Sequence, residues 1–219
     1  MKLSKRLEAI ASFIESKDSV CDVGCDHGYL DIYLAINKKN KTIIATDISK
    51  NVINTTKENL KKYDVFDNIL VYCTDGTNGI KEKYDTLVLS GLGAHTIINI
   101  LNNSPKVKKI IISSNNNWEL IRRYMFNSGY NISLEKLVID NKKIYSVILF
   151  IKDKITRHKL SEILVGKYNL NNKDIYKELL IKNQSVLKKI PLTNFLKRLK
   201  LKYIIFILKK YLRKKDGIV

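Results

Sequence analysis

Short apolar runs alternate with amphipathic stretches through the first two thirds of this 219-residue chain, and few folds accommodate that rhythm. Ser19 to Val23, Thr42 to Thr46, Ile69 to Cys73, Thr86 to Ser90 and Lys109 to Ser113 read as strands. Leu3, Leu7, Ile10, Ala11 and Ile14 recur at helical spacing and open the chain with a helix. Tyr29 to Ile36, Lys50 to Tyr63, the stretch from Gly91-Leu92-Gly93 through Leu101, and Trp118 to Asn127 read as helices between the strands. Repeated strand–helix units imply an α/β domain, a parallel sheet with helices on both faces. The rhythm then changes. Ile132 to Ile139 and Ile144 to Ile151 flank the polar turn Asp140-Asn141-Lys142-Lys143, a hairpin expected to close the sheet with an antiparallel edge strand.

From about Lys154 the chain reads as helix only, so two units are expected, 1–153 and 154–219. Leu160, Ile163, Leu164 and Tyr168 share one face, and Ile175, Leu179, Leu180 and Leu187 another. Pro191 breaks the run before a last stripe of Phe195, Leu199, Tyr203 and Phe206. This is a small, coiled-coil-like helical extension. It is also where the charge lies. The chain carries a net +19, and residues 154–219 hold 18 Lys/Arg against Glu162, Asp174, Glu178 and Asp216. A basic appendage on a near-neutral body points to nucleic acid or an anionic membrane surface as partner. Tyr176 and Tyr203 interleave with the basic residues, and Arg122 and Arg123 either extend the patch or lie on a solvated helix face.

Cys21, Cys25 and Cys73 are too few, and odd in number, for a disulfide framework, and read as reduced thiols in a cytoplasmic protein. Cys21 and Cys25 lack a second pair, so no metal is expected. The start reads as an amphipathic helix rather than a signal peptide. Tyr203 to Leu208 is far short of the ~20 residues of a spanning helix. No membrane association is expected, and a monomer is.

The sharpest local feature is Cys21-Asp22-Val23-Gly24-Cys25-Asp26-His27-Gly28, placed between a strand and a helix. Gly24 and Gly28 allow a ligand close to the backbone. Asp47 ends the second strand, where an acid can take both hydroxyls of a ribose, with Ile48 beside it. Asp75-Gly76 ends the third, where an acid can receive an adenine amino group. Each Asp alone is equally a helix cap; three acids at successive strand ends form a constellation, at the edge where open α/β sheets bind ligands. A nicotinamide dinucleotide is disfavoured, because Asp26 would face a pyrophosphate. S-adenosylmethionine carries no phosphate but does carry a sulfonium and an ammonium, so Asp22 and Asp26 favour it.

These residues, with Leu3 to Leu7, Ala45-Thr46-Asp47-Ile48, Asp85 to Gly93 and the run through Tyr145, make the first ~150 residues resemble a class I S-adenosylmethionine-dependent methyltransferase with a Rossmann-like sheet. More narrowly, they resemble the bacterial tRNA (adenine(22)-N(1))-methyltransferase family. Asp31, Ala94 and Cys25 depart from the usual Pro, Gly and Ser of that family. The resemblance implies cofactor contacts at Asp22, Gly24, Asp26, Gly28, Asp47, Ile48, Asp75, Gly76, Gly91 and Leu92. It implies methylation of adenine N1 in tRNA, with the basic helical extension as the tRNA-binding part. Asp26 is the candidate for a carboxylate facing the charge that develops on the base, or for gripping the adenine amino group. His27 is the second candidate, with a structural hydrogen bond as its alternative. Gly91-Leu92-Gly93 stands where amino-group methyltransferases carry an Asn/Asp-Pro-Pro-aromatic motif, which fits a ring-nitrogen target. His95 either touches substrate or lies on a helix surface, His158 reads as surface, and Trp118 either stacks on a base or packs in the core. The rival readings are another class I methyltransferase, acting on rRNA or a small molecule, a catalytically silent RNA-binding protein on the same fold, and a membrane-surface protein using the final basic amphipathic stretch.

Overall fold

A computed structural model describes residues 1–153 and 157–214. The start of the helical unit at Lys154, and Lys215 and Asp216 of the charge count, lie outside the described residues. The elements are α1 (Lys5–Ala11), β1 (Val20–Val23), α2 (Tyr29–Tyr33, continuing as a π-helical turn over Leu34–Lys38), β2 (Ile43–Asp47), α3 (Lys50–Lys62), β3 (Leu70–Cys73), β4 (Thr86–Ser90), α4 (Ala94–Asn103), β5 (Lys109–Ser113), α5 (Trp118–Asn127), β6 (Tyr130–Asp140), β7 (Lys143–Lys152), α6 (Leu160–Leu164), α7 (Lys173–Lys189) and α8 (Phe195–Arg213).

Seven strands form one sheet in the order β3-β2-β1-β4-β5-β7-β6. The pairings among β1 to β5 are parallel. Strands covered on both faces are largely apolar: all four residues of β1 are buried, as are the first four of β2 and of β4, with Asp22, Thr46 and Thr86 the polar residues among them. One core layer joins Ile10, Ile14, Ile32, Leu34, Ile43 and Leu60 beneath α1, α2 and α3. The other joins Leu87, Leu89, Ile97, Ile112, Ile121 and Phe150 beneath α4 and α5.

The hairpin closes the sheet differently from the expectation. β7 inserts between β5 and β6 and runs antiparallel to both, so the antiparallel strand lies one place in and β6 forms the edge. The turn is tighter too. β6 and β7 pair up to Asp140 and Lys143, leaving two turn residues, Asn141 and Lys142, with φ of 48° and 61°. Two left-handed residues match the right-handed twist of a two-residue hairpin.

The helical unit is anchored to the sheet domain through a third apolar cluster. Leu137 of β6 packs with Val165, Tyr176, Ile207, Leu208 and Tyr211, and Trp118 of α5 joins them. Tyr168, Tyr176 and Tyr211 form an aromatic node with ring centroids 5.2–6.2 Å apart. Beneath it lies a buried ion pair. Arg122 of α5 is fully buried and pairs with Glu135 of β6, which is 5% exposed. The Arg122 guanidinium also donates to the carbonyls of Ile163 and Val165, at 3.3 and 3.4 Å. Glu135 further accepts from the Ser146 hydroxyl at 2.8 Å and the Lys167 amide at 3.0 Å. Gly166, with φ of 101°, lies against the pair where any Cβ would collide with both side chains.

Several expectations are corrected by this packing. Arg122 is neither part of a surface patch nor on a solvated face, because its charge is consumed by Glu135 and two carbonyls. Arg123 is the exposed one of the two, paired with Glu119 at 3.2 Å. Tyr176 is 1% exposed and belongs to the core. His158 is not plain surface: its ring stacks on Phe126 with centroids 3.5 Å apart, and burial lowers its pKa. Trp118 is half-buried and its indole N–H donates to the Ser114 carbonyl at 3.1 Å, the packing role rather than a base platform.

Removing one member of a buried ion pair strands the other without water. Glu135→Ala is expected to lower the unfolding free energy by about 3 kcal/mol or more, read by urea denaturation. A loss below about 1 kcal/mol, the range of exposed pairs, would contradict the burial of this pair.

Candidate active site

The strand order reverses between β1 and β4, and a crevice opens there at the carboxyl ends of the strands. The loop after β1 forms one wall. Its amides at Gly24 and Cys25 both donate to the Thr46 carbonyl of β2, at 2.8 and 3.0 Å. Gly24, Asp26 and Gly28 all have positive φ, 77°, 53° and 73°. At Gly28 a Cβ would lie 2.8 Å from the Thr56 methyl, so glycine alone lets α2 start this close to α3. Side chains of α3 hold the loop from outside. Thr56 donates to the Asp26 carbonyl at 2.7 Å and Asn59 to the His27 carbonyl at 2.9 Å.

The crevice is an open cavity of about 420 Å³. Asp22, Gly24, Asp26, His27, Asp47, Gly91 and Leu92 line it together. Gly28, Ile48, Asp75 and Gly76 do not. Gly28 caps α2 behind the loop. Gly76 is turned toward α4, its carbonyl accepting from Thr46 at 2.9 Å. Asp75 is exposed beyond the end of β3, one strand farther out, and Ile48 is 71% exposed beside Asp47. His95 is exposed on the first turn of α4 and does not line the cavity.

Residues that the spacing of the glycine loop did not mark also line it, among them Arg6 of α1, Tyr29, Ser90, Asn115 after β5, and Lys143 and Tyr145 of β7. The Arg6 guanidinium and the Lys143 ammonium both lie over the Tyr145 ring, 4.9 and 5.1 Å from its centroid. The Arg6 amide donates to Asp140 at 3.3 Å, which pins α1 to the hairpin. Gly91 follows β4 with its amide on the Ser113 carbonyl at 3.2 Å, and the Asn115 side chain donates to the Gly91 carbonyl.

The acids differ sharply in environment. Asp22 is 4% exposed, and burial raises its pKa to about 7; the Arg6 charge opposes that rise and Asp47 adds to it. Behind it on α2, Asp31 is fully buried with both carboxyl oxygens unpartnered among the described residues, and burial and Asp22 push its pKa well up. Asp47 accepts the Ser49 amide at 2.8 Å. Asp26 and His27 stand at the mouth, side chains 76% and 51% exposed, with Nε2 and the carboxylate 3.5 Å apart. A cavity with buried and half-buried carboxylates at two strand ends, and no cation in its glycine loop, suits a cationic nucleoside better than a phosphorylated one.

Sheet order and cavity together are those of a class I methyltransferase, and the methyltransferase domain family profile matches residues 3–148. A Mycoplasma genitalium protein provisionally named a tRNA methyltransferase is 31% identical over 195 residues, spanning 86% of this chain and 87% of that one. The tRNA (adenine(22)-N(1))-methyltransferase of Bacillus subtilis is 29% identical over 154 residues, 68% of this chain and 65% of its own length. The structure of Mycoplasma capricolum TrmK in complex with S-adenosyl-homocysteine is 28% identical, with a TM-score of 0.81 over 97% of this chain and 98% of that one. The chain belongs to the TrmK family of class I methyltransferases.

A carboxyl whose folded pKa is raised contributes stability below its unfolded value, near 4, and loses that contribution as pH rises through the folded value. For Asp22 the window runs from about pH 4 to about 7. The unfolding free energy of the ligand-free protein is expected to fall across it, and Asp22→Asn to remove about one proton's worth of slope, ~1.4 kcal/mol per pH unit. Asp31 acts with the same sign, so slope remains in the variant. Identical slopes in the two proteins would show that Asp22 ionises freely.

Proposed function

We propose that this protein transfers a methyl group from S-adenosylmethionine to N1 of adenine 22 in tRNA. The observation that carries the reading is the single cavity that joins buried Asp22, half-buried Asp47 and exposed Asp26 at the β1–β4 switch. The Bacillus subtilis relative bears the name of that activity, and the Mycoplasma capricolum neighbour is seen with the demethylated cofactor.

The residues present fit the cofactor. Asp47 would hold its ribose hydroxyls, and Asp22, once ionised, its ammonium. Gly24, with φ of 77°, holds a left-handed turn beside the cavity that L side chains rarely adopt. Exposed Ile48 and the more distant Asp75 lie past Asp47, on the side where the adenine ring would extend. When bound, S-adenosylmethionine supplies an electrophilic methyl group.

The chain's own residues then position the base. N1 lies on the Watson–Crick edge, so a paired adenine must be extruded to reach the crevice. Methylation at N1 leaves the base cationic, so no proton has to be removed in the step. The Asp26 carboxylate at the mouth faces the side from which substrate enters and stabilises that positive charge. His27, 3.5 Å from Asp26, orients it. Tyr145, under the Arg6 and Lys143 charges, offers a flat face at the same mouth. The basic helical unit supplies phosphate contacts, which makes RNA affinity strongly salt-dependent. We infer a cytoplasmic location from the proposed tRNA substrate.

Purified protein with labelled S-adenosylmethionine and unmodified tRNA is expected to yield 1-methyladenosine, lost when adenine 22 is replaced by guanine. Methylation persisting on the guanine variant, or absent from both, sinks the reading. Asp47→Ala is expected to weaken S-adenosyl-homocysteine binding about 100-fold, as charge-assisted hydrogen bonds of about 1.5–3 kcal/mol each are lost, measured by calorimetry. Asp26→Asn is expected to reduce kcat by about 100-fold with little change in that affinity, the size of one lost electrostatic stabiliser. Equal losses in both would make Asp26 a cofactor ligand.

A further inference from the structure

A second concave site lies on the helical unit, lined by residues of α6, α8 and the loop between α6 and α7. It is a groove of about 380 Å³. Along α8 its wall is Tyr203, Phe206 and Lys210, spaced three and four residues apart on one stripe that the C-cap residue Lys214 continues. Phe206 is 61% exposed and Tyr203 38% exposed, with ring centroids 6.4 Å apart and planes inclined by 19°. The facing wall carries Tyr168, whose ring has the Lys214 ammonium 4.3 Å from its centroid. Lys210 and Lys214 make no ion pair among the described residues, and the acid on the rim, Glu162, caps α6 through the Lys159 amide at 3.1 Å. The Tyr211 hydroxyl is engaged as well, donating to the Gly166 carbonyl at 2.9 Å, so this side of the groove is rigid.

Two large aromatic rings open to solvent, continued on the same stripe by ammonium groups that make no ion pair among the described residues, match an unpaired nucleotide: a flat apolar base joined to an anionic phosphate. A double helix hides its base faces and would use only the lysines. A lipid surface needs no groove. We propose that this groove holds one unpaired nucleotide of the RNA substrate, its base against Phe206 and Tyr203 and its phosphate at Lys210 and Lys214. The proposal rests on the RNA reading above and adds to it a second contact, away from the methyl-transfer crevice, that requires single-stranded RNA.

The test uses the full chain and fluorescence anisotropy with a labelled ten-nucleotide uridylate strand, a duplex RNA of equal length, and anionic phosphatidylserine vesicles. Phe206→Ser and Tyr203→Ser alter exposed side chains, and S-adenosyl-homocysteine calorimetry serves as the check that each variant is folded. The single strand is expected to bind wild type more tightly than the duplex. Each serine variant is expected to weaken single-strand binding about tenfold, within the range of one base stacked on an aromatic ring. Lys210→Ala is expected to lower the slope of log affinity against log salt by about one. Absent single-strand binding, equal affinity in the serine variants, preference for the duplex, or vesicle binding lost in Phe206→Ser while RNA binding stays, would each overturn the proposal. Failure of tRNA methylation with single-strand binding still dependent on Phe206 would remove the methyl-transfer reading and leave the groove.

Discussion

Between β1 and β4 the sheet order reverses, and connections leave the two strands in opposite directions. No helix can cover the gap above their carboxyl ends. The crevice residues are arranged around that gap. The loop after β1 must turn sharply beside it, and three left-handed residues in five do so. The Thr46 carbonyl takes both the Gly24 and Cys25 amides, which ties the loop to β2 and brings Asp22 and Asp47 into one cavity. Thr56 and Asn59 of α3 hold the carbonyls of Asp26 and His27. The position of the two mouth residues is thus set by backbone contacts, and their side chains meet each other at the cavity mouth, largely in solvent.

The parallel half of the fold was legible because it rests on local pattern. β1, β2, β4 and β5 are apolar runs bounded by glycine or polar residues, and the observed strands coincide with those runs to within one residue. The glycine loop and Asp47 were legible for the same reason: spacing along the chain reports which strand ends they occupy, and so that they meet in one crevice. Arg6, Asn115, Lys143 and Tyr145 were not, because they reach the crevice from α1, β5 and β7, far apart in sequence. Only the insertion of β7 beside β5 carries Tyr145 there, and the hairpin pattern reads the same whichever of its strands takes the inner place. Arg122 shows the other limit. On α5 it looks like its exposed neighbour Arg123; its partner Glu135 lies on another element, in a strand whose alternation carries no mark of an ion pair.

Burying Arg122 with Glu135 has a structural consequence. The pair alone leaves guanidinium donors and carboxylate lone pairs to be satisfied, and the loop around Gly166 supplies carbonyls from Ile163 and Val165 and the Lys167 amide. The sheet domain and the helical unit therefore share one polar network and, above it, one aromatic node. The helical unit is a fixed attachment on α5 and β6. Lys200 of α8 adds an ion pair to Glu119 of α5. The same α5 begins at Trp118, three residues after Asn115 of the crevice, and Trp118 packs into the helical cluster. A short rigid segment thus spans from cofactor cavity to basic unit.

That rigidity answers an electrostatic difficulty at the crevice. A pocket built for a cationic nucleoside collects carboxylates, here Asp22, Asp47 and Asp26, and Asp26 sits exposed at the entrance. Such an entrance repels the phosphates of an incoming RNA at the place where the base must enter. Arg6 and Lys143 are the cations nearby, both over the Tyr145 ring. Attraction for the RNA backbone must come from elsewhere, and residues 154–219 carry the large excess of Lys and Arg. Separating the charges serves both ligands. With the proposed activity, the acids would keep the crevice for the cofactor cation, while the lysines would meet phosphates in solvent, where exchange is fast and salt-sensitive. A flexible tether would lose the advantage, because the bound RNA would not present one adenine to Asp26. The Arg122–Glu135 network removes that freedom, which gives a physical reason for placing a costly buried ion pair at the junction rather than an apolar contact.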